Sequence, residues 1–491
     1  MEYLAIHICI IACFSWLLFF IGLGAGNYNM KKFCFLSASN GWLLCVFLIS
    51  GCSSPISSLN DQQVSQAAQQ GQGNAQYELA NRLAAKPDYP EAMRWMKQAA
   101  DQVGPLAADA DIRGKAALQV GSWYQAGLGE PKNPVLAKQW WQRSAKLGNS
   151  EASYQLGQDC RQRHKGKLAS ECLDWFEQAA KRDHANAQLA LGQWYAGQAG
   201  ADEDAVKWLE KAAEQGNRDA QFQLGTRYEQ GKGVGKRPDL AQRWYEKAAA
   251  QQQPDALLVL ARKAPSEEAF GLYQRAANAG AVSAQLWLGQ AYLVGDLIAQ
   301  DLALGRYWLE LAAGSGSHEA EYQLSLQQSD SAARKHWLTR AAEGGFSQAQ
   351  FALAQWQQEQ GDLVTARHYF ALAAAQGNVD AHYAYGEMLR LGLGGKEDYP
   401  QALKEYRLAA NAQHRSAQYR MGMMREQGLG APRNRLHAYA WYLLAATDGN
   451  SEASEARDEL EKGMTEKEKS AGQKLAQHWF VALAKGKKLN S

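Results

Sequence analysis

The chain has 491 residues, 46% of them apolar and 21% charged, with a formal net charge of +2. That balance describes a foldable globular chain and not a disordered one. Near-neutrality with interspersed signs, and no run of five or six like charges, argues against a nucleic-acid partner.

At the N-terminus, Leu4 to Gly24 is apolar and free of Asp, Glu, Lys and Arg, long enough to span a bilayer. A second unit then begins at Met30-Lys31-Lys32 and ends in Leu48-Ile49-Ser50-Gly51-Cys52. A Met, two Lys, an apolar core and closing small residues form a complete secretory signal. Such a signal needs no apolar segment before it. Translation is therefore expected to start at Met30, with 1–29 as misassigned upstream sequence; the alternative is a membrane helix at Leu4–Gly24. The stretch Ile49-Ser50-Gly51-Cys52 resembles the bacterial lipobox. The resemblance implies a signal peptide over 30–51, cleavage before Cys52, diacylglycerol on the Cys52 thiol and acylation of the new N-terminus. Three acyl chains suffice as an anchor, since each buried CH₂ contributes about 0.8 kcal/mol. Ser53, where an Asp would imply inner-membrane retention, implies transfer to the outer membrane. Glu2, Lys31 and Lys32 are the only charged residues before Cys52, so the chain beyond carries 50 basic and 49 acidic residues. Residues 52–72, rich in Ser, Gln and Gly, read as a tether, with Asp61–Gln70 as an unpaired half of a capping hairpin.

From residue 73 to 450 one pattern recurs, clearest in Asp219 to Ala250. In its first half Ala220, Leu224, Gly225 and Tyr228 share one face of a helix. The Gly position recurs as Ala80, Gly121, Gly157, Gly192, Gly225, Ala261, Gly289, Ser325, Ala354, Gly386 and Gly422, always small, at intervals of 28 to 41 residues. A Gly inside a helix costs about 1 kcal/mol against Ala, so a closely passing helix is the expected reason. Gly231-Lys232-Gly233 then ends the helix, as do Gly127-Leu128-Gly129, Gly392-Leu393-Gly394 and Gly428-Leu429-Gly430. A second helix follows, with a Trp four residues before an Ala pair or its equivalent at 95, 140, 175, 208, 244, 308, 337 and 441. Leu272 and Glu405 depart from it. A period in the middle thirties built of paired helices means an α-solenoid, because one hairpin cannot bury its apolar face alone.

These residues resemble the Sel1-like repeat family, a relative of tetratricopeptide repeats. The resemblance rests on Ala220 through Val234 and on Ala205-Val206-Lys207-Trp208-Leu209-Glu210-Lys211-Ala212-Ala213-Glu214-Gln215-Gly216-Asn217. It implies an all-α, right-handed superhelix of about eleven αα-hairpins, overriding the three domains that the length would suggest. Copies six, eight and nine lack the Gly-x-Gly turn, which predicts a change of local twist across 256–365. Residues 451–491 are expected to cap the stack, with an N-cap signature at Thr465-Glu466-Lys467-Glu468 and a frayed end from Gly486.

Of the seven cysteines only Cys52, Cys160 and Cys172 lie at or beyond the lipobox. Cys160 falls near the end of the first helix of its copy and Cys172 near the start of the second. Antiparallel helices bring those ends together, and an envelope compartment is oxidising, so a disulfide is expected; the alternative is two thiols too far apart to bridge. His164 and His184 flank the pair, but the spacings match no zinc motif. His336 and His368 read as surface or core residues. Cysteine-rich relatives in the family are associated with penicillin binding and β-lactam hydrolysis. The chain nevertheless shows no S-x-x-K with S-D-N and K-T-G, no G-x-S-x-G and no H-E-x-x-H, and Gly231–Lys236 is not a Walker loop. The Trp series reads as repeat core; the off-register Trp123, Trp141, Trp194, Trp287 and Trp356 are better surface candidates, though packing is favoured for these too.

The sequence thus predicts a non-enzymatic, lipid-anchored scaffold for protein–protein interaction in the bacterial envelope, without cofactor or metal. It is expected at the outer membrane facing the periplasm, as an adaptor in an envelope assembly. The alternatives are an exopolysaccharide-export scaffold with polysaccharide as ligand, a β-lactam or cell-wall hydrolase, and a surface-displayed binder of host proteins.

Overall fold

The computed structural model describes residues 56–165, 169–448 and 451–489. The apolar segments at 1–29 and 30–51, and Cys52, lie outside the described residues. Two compact units divide between Val64 and Ser65. In the first, Ile56–Ser58 forms a 3-10 turn. The second is an α-solenoid. Among the described residues there is no strand, and no helix is long and apolar enough to cross a membrane.

Eleven hairpins follow one another, each a helix A and a helix B. They run from Gly73–Ala85 with Tyr89–Asp101 in repeat 1 to Arg415–Gln427 with Arg435–Ala445 in repeat 11. Repeat 5, Arg218–Gln230 with Pro238–Ala250, shows how sequence builds the unit. Asn217 caps helix A, its Oδ1 accepting from the Ala220 amide at 2.9 Å. Such a cap contributes about 1 kcal/mol. Gly231 closes the helix at φ 72°. Gly233, at φ 74°, lies against the start of the preceding helix B, where a Cβ would come within 2.2 Å of the Asp202 carbonyl oxygen. The first glycine of the turn is thus needed for its backbone angle and the second for that close approach as well.

The small residue inside helix A is explained by its own hairpin. A Cβ on Gly225 would sit 2.9 Å from the Tyr245 ring. Gly157 faces Phe176 and Gly422 faces Tyr442 in the same way. The ring or branch that faces this small residue follows the repeat's Trp place, filled by Tyr369 and Glu405 in two repeats, by one residue. Phe176, Leu209, Tyr245, Leu309, Phe370, Tyr406 and Tyr442 are each at most 1% exposed.

The reading of the Trp series as core holds for Trp95, Trp308 and Trp441, which are buried, and is corrected for others. Trp140, Trp175, Trp208, Trp244 and Trp337 are only half-buried. Trp244 lies with Val206, Leu209 and Leu224, at the seam with the preceding repeat. A cation covers its outer face, Lys247 Nζ lying 4.1 Å from the ring centroid. Lys211 over Trp208 and Arg340 over Trp337 repeat the arrangement. Of the off-register residues, Trp123 and Trp141 are buried at 4% and 5% exposure, as the favoured packing reading expects, and Trp194, Trp287 and Trp356 are half-buried. For Trp141 the reason is helical phase: it follows Trp140 by one residue, 100° around the helix, enough to exchange seam for interior.

A second layer of order is polar. Gln188, Gln221, Gln285, Gln350 and Gln418, all buried, each donate Nε2 to the last Ala carbonyl of the preceding helix B, at 3.1–3.3 Å. Each adds a second donor to a helix C-terminal carbonyl that already accepts an amide of the following turn. Gln76 makes the same bond to Ala68, so the end of helix Asp61–Gln69 stands where a helix B would. Part of the expected tether is therefore helical.

Repeats 6 and 8 have short A helices, Pro254–Lys263 and His318–Leu326, whereas repeat 9 keeps full-length helices and shortens only the turn. At the C-terminal end Ser451–Glu461 and Glu466–Ala484 pack on helix B of repeat 11, with Trp479 tilted against Trp441 at 4.8 Å. Thr465 and Glu468 form the capping box. The tail expected to fray is held at Leu489, which is buried and exchanges two hydrogen bonds with Asn411. That pairing joins residues 78 apart in sequence, beyond the reach of local pattern.

Candidate functional site

Repeat 3 has helix A at Ser150–Arg163 and helix B at Ser170–Ala180, without a Gly-x-Gly turn. Cys160 and Cys172 are joined as a disulfide across the two helix ends, with Cα atoms 5.5 Å apart. Both are buried beside Phe176, Ala179 and Leu191. His164 Nε2 pairs with the Glu171 carboxylate next to them. His184 plays another part. It caps helix A of repeat 4, stacks on Tyr154, and binds Glu151 through Nε2 at 2.8 Å. His336 and His368 are exposed, each edge-on to the aromatic residue that follows it.

Half-buried ionisable groups are paired within the stack. Glu387 receives Arg390 Nη2 and Arg420 Nε, each at 2.8 Å, and the Tyr406 hydroxyl. Burial alone would raise its carboxyl pKa, but Arg390, Tyr406 and Arg420 hold it below the usual range. Burial and then Glu387 push the Tyr406 hydroxyl well up. In repeat 10 two departures from the pattern meet: His382, at the Gln place, binds Glu405, at the Trp place, at 2.6 Å. These groups lock helices together. Between the A helices of repeats 2 and 3 an open polar groove of about 350 Å³ is lined by Gln125, Gln155, Gln158, Asp159 and Gln162 among others.

The surface that departs most from the repeat is helix B of repeat 7, Leu302–Gly314. Leu304, Tyr307 and Leu311 fall at i, i+3 and i+7, on one helix face. They are 41%, 52% and 37% exposed. Repeats 4 and 5 carry Lys207 and Arg243 at the place of Tyr307, and Lys211 and Lys247 at that of Leu311. Trp308 therefore has an apolar neighbourhood where its counterparts have a cation. Leu297 and Val294, 63% and 61% exposed, lie just before this helix in the same repeat. Sequence reading missed this strip, although the run Leu302-Ala303-Leu304-Gly305-Arg306-Tyr307-Trp308-Leu309 was its signal.

The Sel1 repeat model matches eleven segments: 73–103, 114–149, 150–184, 185–217, 218–252, 266–280, 282–317, 335–346, 347–378, 379–414 and 415–450. The chain belongs to the Sel1 repeat family. Besides 104–113, between repeats 1 and 2, the main interruptions fall at the shortened repeats 6 and 8. Among solved structures this Sel1 repeat chain is similar to c5321, a protective antigen present in uropathogenic Escherichia coli strains and displaying an SLR fold. Identity is 28%, with 88% of this chain and 98% of that one covered and a TM-score of 0.65. It is also similar to a Sel1 repeat protein from Oxalobacter formigenes, at 27% identity over 48% of this chain and 96% of that one, TM-score 0.42. No curated protein matches it. Sel1 repeat proteins are scaffolds for protein–protein interaction, typically non-catalytic.

Proposed function

We propose that this Sel1 repeat protein is a lipid-anchored adaptor of the bacterial envelope, tethered through Cys52 at the outer membrane and facing the periplasm. The observation that carries the binding role is the apolar strip of Leu304, Tyr307 and Leu311, on a helix face that carries cations at the last two of these places in repeats 4 and 5. Exposed apolar side chains grouped on one face mark protein-docking surfaces. Supporting the anchor is the signal that ends in Ile49-Ser50-Gly51-Cys52. The test is a pull-down from crosslinked envelopes, using protein tagged at Ser491. A reproducible set of envelope-assembly subunits is expected, lost with Cys52→Ser. An empty pull-down from cells whose Cys52 is acylated overturns the adaptor reading.

A second reading, a surface-displayed binder, draws on the likeness to a protective antigen over 88% of this chain. Protease treatment of intact cells separates the two. Digestion without permeabilisation supports display; protection supports the periplasmic adaptor.

A further inference from the structure

Repeat 3 is closed differently from repeats 2 and 5. Where those use a Gly-x-Gly turn, it joins Cys160, in the last turn of helix A, to Cys172, in the first turn of helix B. Two further donors stand at the same place. His164 lies one helical turn beyond Cys160, and Glu171 immediately precedes Cys172. Glu171 Oε1 is paired with His164 Nε2 and lies 4.0 Å from Cys160 Sγ. The four donor atoms, two Sγ, one imidazole N and one carboxylate O, all lie within 4.8 Å of one another. A tetrahedral ion with metal–sulfur bonds of about 2.3 Å and metal–nitrogen or –oxygen bonds of about 2.0–2.2 Å needs ligand–ligand edges of roughly 3.3–3.8 Å. Small rotations about side-chain bonds span that difference without moving either helix.

We propose that, when the disulfide is open, Cys160, His164, Glu171 and Cys172 form a site for one zinc-class divalent cation. Two thiolates, an imidazole and a carboxylate suit a borderline-soft ion of tetrahedral preference. The environment grades in the right direction. Cys160 and Cys172 are 3% and 0% exposed, packed with Phe176 and Ala179, so thiolate charge there is poorly solvated without a counter-ion. The His164 and Glu171 side chains, 38% and 62% exposed, leave an entry path from solvent. The ion replaces one closure of the hairpin by another. In an oxidising compartment the disulfide holds the two helix ends; in a reducing one the cation does.

The chemistry balances. A phosphine reductant attacks one sulfur, the S–S bond breaks, and hydrolysis of the phosphorus–sulfur adduct leaves two thiols and a phosphine oxide whose oxygen comes from water. The two electrons come from phosphorus. Binding the cation then releases the two thiol protons to solvent, while the His164 and Glu171 lone pairs complete the shell.

The competing account is a structural disulfide beside an ordinary surface ion pair. The experiment reduces the full chain with a water-soluble phosphine, removes the reagent without air, and titrates with Co²⁺. One equivalent is expected to bind, with the sulfur-to-cobalt charge-transfer band and intense visible bands of a tetrahedral thiolate site, and two protons released. Oxidised protein is expected to show neither. Cys160→Ser and Cys172→Ser are expected to lose the band, which also accounts for thiols elsewhere in the chain. His164→Ala and Glu171→Gln alter exposed side chains, so folding is retained and checked by circular dichroism. Each is expected to weaken affinity at least ~10-fold, the lower range for disturbing even an indirect metal partner. The proposal is overturned if reduced protein binds no stoichiometric Co²⁺, or if both of the latter variants bind it as tightly as the parent.

Discussion

Gln221 Nε2 donates to the carbonyl of Ala213 at 3.1 Å, while Gln221 Oε1 accepts from Gln251 Nε2 at 2.9 Å. One side chain thus ties the end of one repeat to the start of the next and then to the end of that repeat. In a stack where each hairpin touches mainly its neighbours, such seams set the coupling between units. Replacing Gln221 by Leu removes this bond while the Gly216 amide still reaches the Ala213 carbonyl, and is expected to destabilise the seam by about 0.5–1.5 kcal/mol. Hydrogen exchange should quicken in repeats 4 and 5 and stay unchanged in repeats 10 and 11.

The pair Gly225 and Tyr245 makes a sharper expectation. Helix propensity favours Ala over Gly by about 1 kcal/mol. A Cβ there meets a ring that is 1% exposed and unable to withdraw. Gly225→Ala is therefore expected to destabilise by about 1–2 kcal/mol, in the range for overpacking. In a Tyr245→Ala background the ring is gone and the cost of Gly225→Ala should shrink, so a double-mutant cycle in urea should show clear coupling.

Acid lability is expected at the junction of repeats 10 and 11. His414 stands where repeat 5 has the capping Asn217, and its Nδ1 accepts from the Ala417 amide at 3.1 Å. Burial lowers its pKa below the ordinary 6.5, with Asp380 pulling partly the other way, and Tyr383 stacks on the ring. The folded state therefore binds a proton less readily than the unfolded state. This contribution is complete above pH 6.5 and is lost as pH falls through the lower folded pKa. His414→Asn keeps a capping acceptor without the titration. Melting curves of the two should run together above pH 7 and separate below 6, with the variant the more stable.

Opening the Cys160–Cys172 bridge removes the only covalent closure among the described repeats. Cys160→Ser with Cys172→Ser, in metal-free buffer, is expected to lose about 2–4 kcal/mol. The loss should be local, seen as faster exchange over Ser150–Ala180, with distant repeats little changed.

The strip on repeat 7 can be returned to the pattern of repeat 4 by Leu304→Asp, Tyr307→Lys and Leu311→Lys. These side chains are exposed, so thermal stability should shift little. Partner recovery in the crosslinking pull-down should fall by at least ~10-fold, a loss of 1.4 kcal/mol or more. Full recovery would place the docking surface elsewhere on the stack.

The sequence by itself determined the repeat. Period, small residues and Gly-x-Gly turns are local signals, and they fixed eleven hairpins, the capping box at Thr465 and the family. Cys160 and Cys172 were legible as neighbours because a hairpin brings its own inner ends together. Tertiary structure decided what depends on phase and on distance along the chain. Whether Trp140 or Trp141 enters the interior turns on a 100° step around one helix, and both are Trp. The Gln221 bond joins separate helices through a side chain that reads as polar surface. The tie between Asn411 and Leu489 forms only once the stack is complete. The strip on repeat 7 emerges only by contrast, because an apolar residue counts as exposed when the neighbouring helices leave that face uncovered.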